Sequence, residues 1–145
     1  MRRVMSNMNR ISRAQCMYRA AHTEGELPPC QHSFVLAICA SPGLSQDALS
    51  RRLCLNKSTV ARTLATMEEA GLVTRTPQRE DKRVLLVSPT EKMLGLLTEV
   101  KRVAREWNDV ITADIDEAEM DVFCAVLEKL AQHARAAVGL AEDER

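Results

Sequence analysis

Residues 45–83 decide the fold, and they read SQDALSRRLCLNKSTVARTLATMEEAGLVTRTPQREDKR. Ser45 is a residue type that caps helices, and Asp47 follows in the first turn, where the helix dipole favours a negative charge. The pattern therefore predicts a short helix that begins at Ser45 and ends at about Leu53.

A second helix is predicted directly after the first. Asn56 can cap it after the three-residue turn 54–56, and it runs to about Ala70. Gly71 then stands where helices commonly end on a left-handed residue. Three apolar residues recur inside it at helical spacing and predict one buried stripe, namely Val60, Leu64 and Met67. Two helices joined by so short a turn form a helix-turn-helix.

The hydrophobic period changes to two after Gly71, which indicates β-structure. Residues 72–76 (LVTRT) and 84–88 (VLLVS) are the two strand candidates, and the polar segment 77–83 lies between them. The sequence therefore predicts a β-hairpin with a charged tip, as in the wing of a winged helix-turn-helix.

Helices flank this module on both sides. A first helix is predicted over residues 2–22 and a short apolar helix over about 30–40. Pro89 is predicted to start a long helix, and Asp114 or Asp116 to cap the last one. The two long helices carry apolar stripes composed of Met93, Leu97, Val100, Ala104, Trp107 and Ile111, and of Met120, Phe123, Leu127, Leu130 and Ala134.

These stripes offer more apolar surface than the small central module can cover, so a second copy of the chain is expected to share them. The predicted fold class is mainly α with a small β-hairpin. One domain is predicted over residues 1–145. It comprises a winged helix-turn-helix over about 30–88 and helical dimerisation regions over about 1–22 and 89–138.

Charge is distributed unevenly along a chain whose formal net charge is zero. Residues 51–83 carry eight basic and four acidic side chains, whereas residues 84–145 carry seven basic and thirteen acidic ones. A local basic patch is sufficient to attract phosphate, because charges are screened beyond about 8–10 Å.

Other classes of protein find little support in the sequence. No apolar run reaches the roughly 20 residues of a membrane helix, and the first residues do not resemble a leader. Because no phosphate loop, catalytic triad or metal-ligand set is recognised, we expect neither an enzyme nor a cofactor or metal site. The odd count of five cysteines favours reduced thiols and a cytoplasmic location.

The outer face of the second helix and the hairpin tip carry residue types that bind phosphates and base edges. The helix is predicted to enter the major groove, and Arg79, Lys82 or Arg83 to reach the narrow minor groove. The predicted contacts to double-stranded DNA are Ser45, Gln46, Asn56, Lys57, Ser58, Thr59, Arg62, Thr63, Arg75, Arg79, Lys82 and Arg83.

Motifs across this region resemble the MarR family of bacterial regulators. They are SQDAL at 45–49, NKSTVAR at 56–62, MEEAGLVTR at 67–75, DKR at 81–83 and PTEK at 89–92. The resemblance implies a homodimer, built from the first and the last two helices, that binds palindromic operators, usually as a repressor.

The family's pattern also implies roles for residues of the wing. Asp81 would pair with an arginine and brace the wing, while Arg83 would enter the minor groove. Many such regulators release DNA when a small phenolic or lipophilic ligand binds between the dimer and DNA-binding regions, or when a cysteine is oxidised.

Two kinds of regulatory site follow as hypotheses. Tyr18, His22, His32 and Phe34 are candidates to line an effector pocket, with ordinary packing as the alternative. Cys16 and Cys30 are the candidate redox thiols, since a reactive thiol needs access to solvent. Cys39 and Cys124 lie on apolar stripes and are expected to be buried. A repressor released by a small molecule is the leading function; a thiol-based redox regulator and a winged-helix protein-interaction module without DNA binding are the alternatives.

Overall fold

The computed structural model describes residues 4–140, which form six α-helices and a three-stranded antiparallel sheet. The mainly helical fold class with a winged helix-turn-helix is confirmed. The predicted start of the first helix at residue 2 lies outside the described residues. The helices are α1 Val4–His22, α2 His32–Ala40, α3 Gln46–Leu53, α4 Lys57–Glu69, α5 Glu91–Thr112 and α6 Glu117–Ala137, with a short 3-10 turn at Pro29–Gln31.

The sheet has one strand more than the sequence predicted. Its strands are β1 Leu44–Ser45, β2 Val73–Pro77 and β3 Leu85–Pro89, in the order β1-β3-β2. β2 and β3 form the predicted hairpin, each displaced by one residue from its predicted bounds. β1 is too short to show an alternating pattern, because it consists of two residues and exists only through its pairing with β3.

The start of α5 also differs from the prediction. Pro89 is the last residue of β3, paired with Val73, and the helix begins two residues later. The side chain of Thr90 caps the helix by accepting a hydrogen bond from the Met93 N–H at 3.3 Å. The same hydroxyl donates to the Gly71 carbonyl at 2.7 Å, so it ties the helix start to the end of α4.

The core is formed where α2, α4 and α5 meet the sheet. The predicted stripe of α4 is confirmed, since its three residues are fully buried. Gly71 adopts a φ of +71°, the left-handed conformation expected at the end of this helix. The largest fully buried side chains of the core are Phe34, Ile38, Leu49, Leu64, Met67 and Met93.

α1 and α6 differ from the other helices, because neither buries a single side chain within the described chain. Asp116 caps α6, as predicted, by accepting from the Glu119 N–H at 2.9 Å. The prediction that Cys39 and Cys124 are buried was wrong for Cys124, which is exposed, while Cys39 is half-buried. The stripe of α6 that carries Cys124 has no partner surface in a single chain.

Candidate nucleic-acid interface

Side-chain caps hold both helices of the helix-turn-helix at their N-termini. The Ser45 hydroxyl accepts from the Ala48 N–H at 3.1 Å, and Asn56 Oδ1 accepts from the Thr59 N–H at 2.7 Å. Ser58 donates its hydroxyl to the same Asn56 oxygen at 2.8 Å. The side chains of three predicted DNA-binding residues thus have structural contacts in the free protein: Ser45 caps α3, and Asn56, to which Ser58 donates, sets where α4 begins.

The outer face of α4 remains open to solvent. Lys57, Ser58 and Arg62 are exposed, while Thr59 and Thr63 are half-buried beside the core stripe. Lys57 Nζ lies 2.8 Å from Asp47 Oδ2 of α3, in an ion pair whose two side chains are largely exposed. Exposed pairs of this kind contribute little to stability, so a phosphate can replace the carboxylate at small cost.

Arg75 on β2 is bound inside the protein, in contrast to its predicted role as a DNA contact. Its guanidinium donates to Glu68 Oε2, with an Nε distance of 3.0 Å, and its backbone N–H donates to Glu68 Oε1 at 3.2 Å. The Nη1 atom of Arg75 also lies 3.5 Å from Gln46 Oε1. These hydrogen bonds lower the pKa of Glu68, and they join the end of α4 to the wing strand and to α3.

Sequence reasoning missed Glu68 as a residue of this site. It stands seven positions before Arg75, across the end of a helix and a turn, and no helical or strand period relates two such positions. Gln46, another predicted DNA contact, faces the same guanidinium. Glu68 and Gln46 both support the interface by holding the Arg75 guanidinium in place.

The wing is closed by backbone hydrogen bonds and by one carboxylate. The Gln78 N–H donates to the Val84 carbonyl at 2.8 Å, and the Val84 N–H donates to the Asp81 carbonyl at 3.0 Å. Asp81 Oδ1 accepts from the backbone N–H of Arg83 at 2.9 Å. No arginine side chain lies within ion-pair distance of Asp81 in residues 4–140, so the expected arginine pairing was wrong. Asp81 holds the turn through the backbone instead.

The cationic side chains of the wing tip take no part in the hydrogen bonds that close the wing. Arg79, Lys82 and Arg83 are all exposed. A cleft of about 520 Å³ separates the wing from α3, and its lining includes Arg83 on one wall and Asp47 and Arg51 on the other. Because Asp47 also pairs with Lys57, the start of α4, the outer face of α3 and the wing tip adjoin one opening.

The four residues proposed for an effector pocket do not form one. Tyr18 stacks on His22, with ring centroids 3.8 Å apart, and lies 5.3 Å from the Trp107 ring. Phe34 belongs to the hydrophobic core, and His32 is buried, with its Nε2 3.0 Å from the Thr23 hydroxyl. Because Phe34 and His32 are buried while Tyr18 is half-buried and His22 is exposed, the four side chains do not line a common cavity within residues 4–140, and the prediction was wrong.

An ionic network lies beside this cluster and joins α1 to α5. Arg102 bonds to Glu99 and Glu106, each at 2.7 Å, and donates to the His22 carbonyl at 3.0 Å. Glu99 also accepts from the Glu24 N–H at 3.1 Å. Hydrogen bonds from Arg102 and then from that backbone N–H lower the pKa of Glu99 to about 2.

Burial of His32 is the main cause that lowers its pKa, and the nearby Arg19 lowers it further, while Glu99 acts in the opposite direction. The imidazole therefore favours its neutral form at the start of α2.

A separate groove of about 390 Å³ lies between α2 and α5. Its lining includes Leu36 and Ala104, which are apolar, and Lys101 and Arg105, which are cationic. None of the sequence-predicted effector residues lines it. Of the α5 residues that line it, Ala104 belongs to the predicted apolar stripe, whereas the others are polar or charged residues that periodicity assigns to solvent, namely Thr98, Lys101, Arg105 and Asn108.

The cysteines of the described chain are all free. Cys16 and Cys30, the candidate redox thiols, are exposed, as is Cys54. No helix in residues 4–140 is long and apolar enough to cross a membrane.

The chain is similar to known regulators of transcription. The family model described as "MarR family" matches residues 26–84. The transcriptional regulator HosA of Escherichia coli O157:H7 is 38% identical over 80 residues, which are 53% of this chain and 59% of HosA. Among the first curated relatives, the matched stretch spans only 59–67% of the relative's own length.

Solved structures match over nearly the whole chain. A crystal structure of MarR is 26% identical, covers 96% of this chain and 97% of its own, and superposes with a TM-score of 0.82. A MarR family regulator from Listeria monocytogenes, complexed with a 26mer DNA, is 23% identical, covers 99% of each chain and has a TM-score of 0.86.

Proposed function

Because the chain belongs to the MarR family, we propose that it is a DNA-binding transcriptional regulator that binds an inverted-repeat operator as a homodimer. One observation carries the proposal. The exposed face of α4 and the wing tip present cations around a single opening, on elements whose internal hydrogen bonds are complete without them. Neither a catalytic role nor a cofactor enters the proposal.

All but one of the proposed contacts are among those predicted from the sequence. α4 enters the major groove and presents Lys57, Ser58 and Arg62, with Thr59 and Thr63 beside them. Arg79, Lys82 and Arg83 follow the adjacent minor groove and its phosphates. Arg75 is left out because it binds Glu68, Gln46 because it faces the Arg75 guanidinium, and Ser45 and Asn56 because they act as caps. Arg51 joins the set, since its exposed side chain lines the cleft opposite the wing.

The exposed apolar faces of α1 and α6 support the dimer. Met5 and Met17 of α1 are 65% and 74% exposed, and Val122 and Phe123 of α6 are 66% and 51% exposed. Large apolar side chains are seldom left in water in such numbers. A second copy would cover both faces in an interface above the roughly 2,000 Å² typical of permanent complexes.

The groove between α2 and α5 supports release by a small molecule. Lys101 and Arg105 beside an apolar floor suit an organic anion with a carboxylate or phenolate head and a ring or chain. Binding there would change how α5 meets α2, and α2 packs against α3 of the helix-turn-helix. In this proposal the protein acts as a repressor in the cytoplasm, where the DNA is.

A gel shift with the DNA upstream of its own gene tests the DNA-binding proposal. We expect binding at low salt that weakens steeply as salt rises, because Lys and Arg displace counterions from phosphates. A protein-interaction module would show no shift on any DNA at low salt, and that result would reject the proposal.

Release is tested separately, with the same complex. Aromatic carboxylates should dissociate it from wild-type protein but not from the double variant Lys101→Ala, Arg105→Ala. Loss of binding on mild peroxide treatment that disappears in Cys16→Ser or Cys30→Ser would favour the redox regulator instead.

A further inference from the structure

The C-terminal helix makes a specific contact with the helix-turn-helix although it does not pack on it. No side chain of α6 is fully buried in the described chain, and Phe123, Val126 and Leu130 are exposed. Its last turn nevertheless brings the half-buried side chain of Arg135 against the module. Arg135 Nη1 donates to the Arg51 carbonyl at 3.2 Å and to the Cys54 sulfur at 3.4 Å.

Both acceptors lie where α3 passes into the turn that leads to α4: the Arg51 carbonyl is in the last turn of α3, and Cys54 directly follows the helix. Cys54 has a φ of +52° and is the only residue other than glycine with a positive φ in residues 4–140. Around it the Cys54 N–H donates to the Arg51 carbonyl at 3.3 Å and the Leu55 N–H to the Ser50 carbonyl at 3.1 Å. This turn sets the direction in which α4 leaves α3.

The chemistry of the contact suits its position. The Arg51 carbonyl lies at the C-terminal end of α3, where it accepts the Cys54 N–H at 3.3 Å and where the helix dipole is negative. A carbonyl oxygen can accept two hydrogen bonds, so the guanidinium adds a second one that the dipole favours, and a charge-assisted hydrogen bond is stronger than a neutral one. Arg135 therefore binds the backbone at the end of α3 and, in addition, the side chain of Cys54.

The contact also supplies a second attachment between two parts of the molecule. α5 leaves the winged-helix module directly after β3, so the chain connects the module to the C-terminal helices on that side. Arg135 joins them again at the opposite end of α6. With both attachments in place, the winged-helix module resists a rotation relative to the C-terminal helices that the chain connection alone would allow.

From this geometry we propose that Arg135 is a positioning residue that sets the distance between the two recognition helices of the dimer, and hence the half-site spacing that the protein accepts. The inference rests on the proposed function, because it requires a dimer that binds an inverted repeat. α6 belongs to the part shared between protomers, so the orientation of each module relative to α6 determines where its α4 lies relative to the two-fold axis.

The test measures spacing discrimination by the full-length dimer. A palindrome is selected from random DNA by the wild-type protein and rebuilt with its half-sites moved one or two base pairs closer or farther apart. Wild-type protein should bind the selected spacing best. Arg135→Ala should lower the ratio between the worst and best Kd by about three- to tenfold, the size of coupling expected for one such contact at each end.

Three further variants separate positioning from a general defect. Lys129→Ala removes one positive charge from an exposed site on the same helix and should keep wild-type discrimination. Arg135→Lys keeps the charge with a single donor group and should be intermediate. Cys54→Gly keeps the left-handed turn and removes only the sulfur acceptor, so it should lose less discrimination than Arg135→Ala.

A second readout does not depend on DNA. Hydrogen exchange of the amides in residues 51–56 should be faster in Arg135→Ala than in wild type and in Lys129→Ala. Affinity for scrambled DNA should stay within about twofold in every variant, because the cations that contact phosphate are unchanged.

The outcomes distinguish this inference from the function it rests on. Unchanged spacing discrimination by a folded, dimeric Arg135→Ala protein, or unchanged exchange in residues 51–56, would overturn the role of Arg135 while leaving DNA binding intact. A wild-type protein that selects no DNA at all would overturn the proposed function and this inference together.

Discussion

Arg62 and Arg83 are both exposed arginines, but they stand on elements that we propose meet DNA in different ways. Arg62 lies on the outer face of α4, where a guanidinium can donate two hydrogen bonds to a guanine edge in the major groove. Arg83 lies in the wing, opposite the cleft that separates it from α3, and the minor groove offers it width and charge with little sequence information. Arg75 shows the contrast, since its pairing with Glu68 gives it a structural role.

Replacing each of the two arginines should therefore change DNA binding in a different way. Arg62→Ala should cost about 1–3 kcal/mol of binding free energy and relax the preference at one operator position. Arg83→Ala should weaken binding to all sequences and lower the slope of log K against log salt by about one for each phosphate that the variant no longer binds. Salt titrations on operator and scrambled DNA measure both effects, with Arg13→Ala on α1 as the charge-matched control. Unchanged affinities in a folded Arg83→Ala dimer would remove the wing from the interface.

Glu99 predicts a pH dependence of stability. Its pKa in the folded protein is about 2, below the roughly 4.3 of an unfolded glutamate. A carboxyl group whose pKa is lower in the folded than in the unfolded protein stabilises the fold. This stabilisation is fully present above the pKa of the unfolded protein and is lost as the pH falls towards the pKa of the folded protein. Glu99→Gln should therefore be less stable than wild type at pH 7, and the difference should shrink between about pH 4.5 and 2. Denaturant unfolding at several pH values checks this, with the exposed Glu69→Gln as control; a difference independent of pH would contradict the assignment.

At the level of elements, α4 and α6 begin with the same kind of cap but belong to different parts of the protein. Asn56 Oδ1 accepts from the Thr59 N–H at 2.7 Å, and Asp116 Oδ1 accepts from the Glu119 N–H at 2.9 Å. The first cap holds the end of the recognition helix that is proposed to approach the bases. The second holds a helix far along the chain from that interface.

Removing either cap should cost about 1 kcal/mol of unfolding free energy. Only Asn56→Ala should also weaken operator binding, because fraying of the first turn of α4 moves Lys57 and Ser58. Denaturant unfolding and operator affinity, measured on Asn56→Ala and Asp116→Ala in parallel, test this. Equal DNA affinities in the two variants would mean that the start of α4 does not take part in binding.

The bounds of the strands were harder to predict from the sequence than those of the helices. β1 was not predicted, because a strand of two residues has no period. The end of β3 was placed one residue too early, because Pro89 is also a residue type that starts helices. Pairing of Leu44 with Val87 and of Pro89 with Val73 decides both bounds. The consequence for function is that the wing is anchored to the residues just before α3, beside the Ser45 cap.

For the whole molecule, the exposed apolar face of α6 predicts that the chain is not stable as a monomer. Phe123→Glu or Val126→Glu places a charge in the proposed interface, where burying it unpaired is costly. These variants should shift the protein from dimer to monomer in light scattering. They should weaken operator binding by on the order of a hundredfold or more, because a monomer binds one half-site and loses the affinity that a dimer gains by binding two linked half-sites. Gln132→Glu, an exposed polar site on the same helix, is the control, and a wild-type monomer at micromolar concentration would contradict the dimer.

The sequence by itself determined the features that depend on near neighbours in the chain. The caps at Ser45 and Asn56, the left-handed Gly71 and the buried stripe of α4 are each set by residues within a few positions, and the cap of α6 was predicted at either Asp114 or Asp116. Local hydrogen bonding and the period of 3.6 are therefore enough to predict the two short helices and the turn between them. The exposure of Lys57 and Arg62 on the outer face of α4 follows from the same period.

Only the tertiary structure decided which polar groups face each other. Arg75 was predicted as a DNA contact, and only the tertiary structure shows that it binds Glu68 and lies beside Gln46. Tyr18 and His32 were predicted to line one pocket, and only the tertiary structure shows that His32 is buried while Tyr18 is half-buried. Arg135 had no distinguishing pattern at all, since its acceptors lie 84 and 81 residues earlier. Such pairings depend on how whole elements are placed relative to each other, and no period in the sequence encodes a distance between residues that are far apart in the chain.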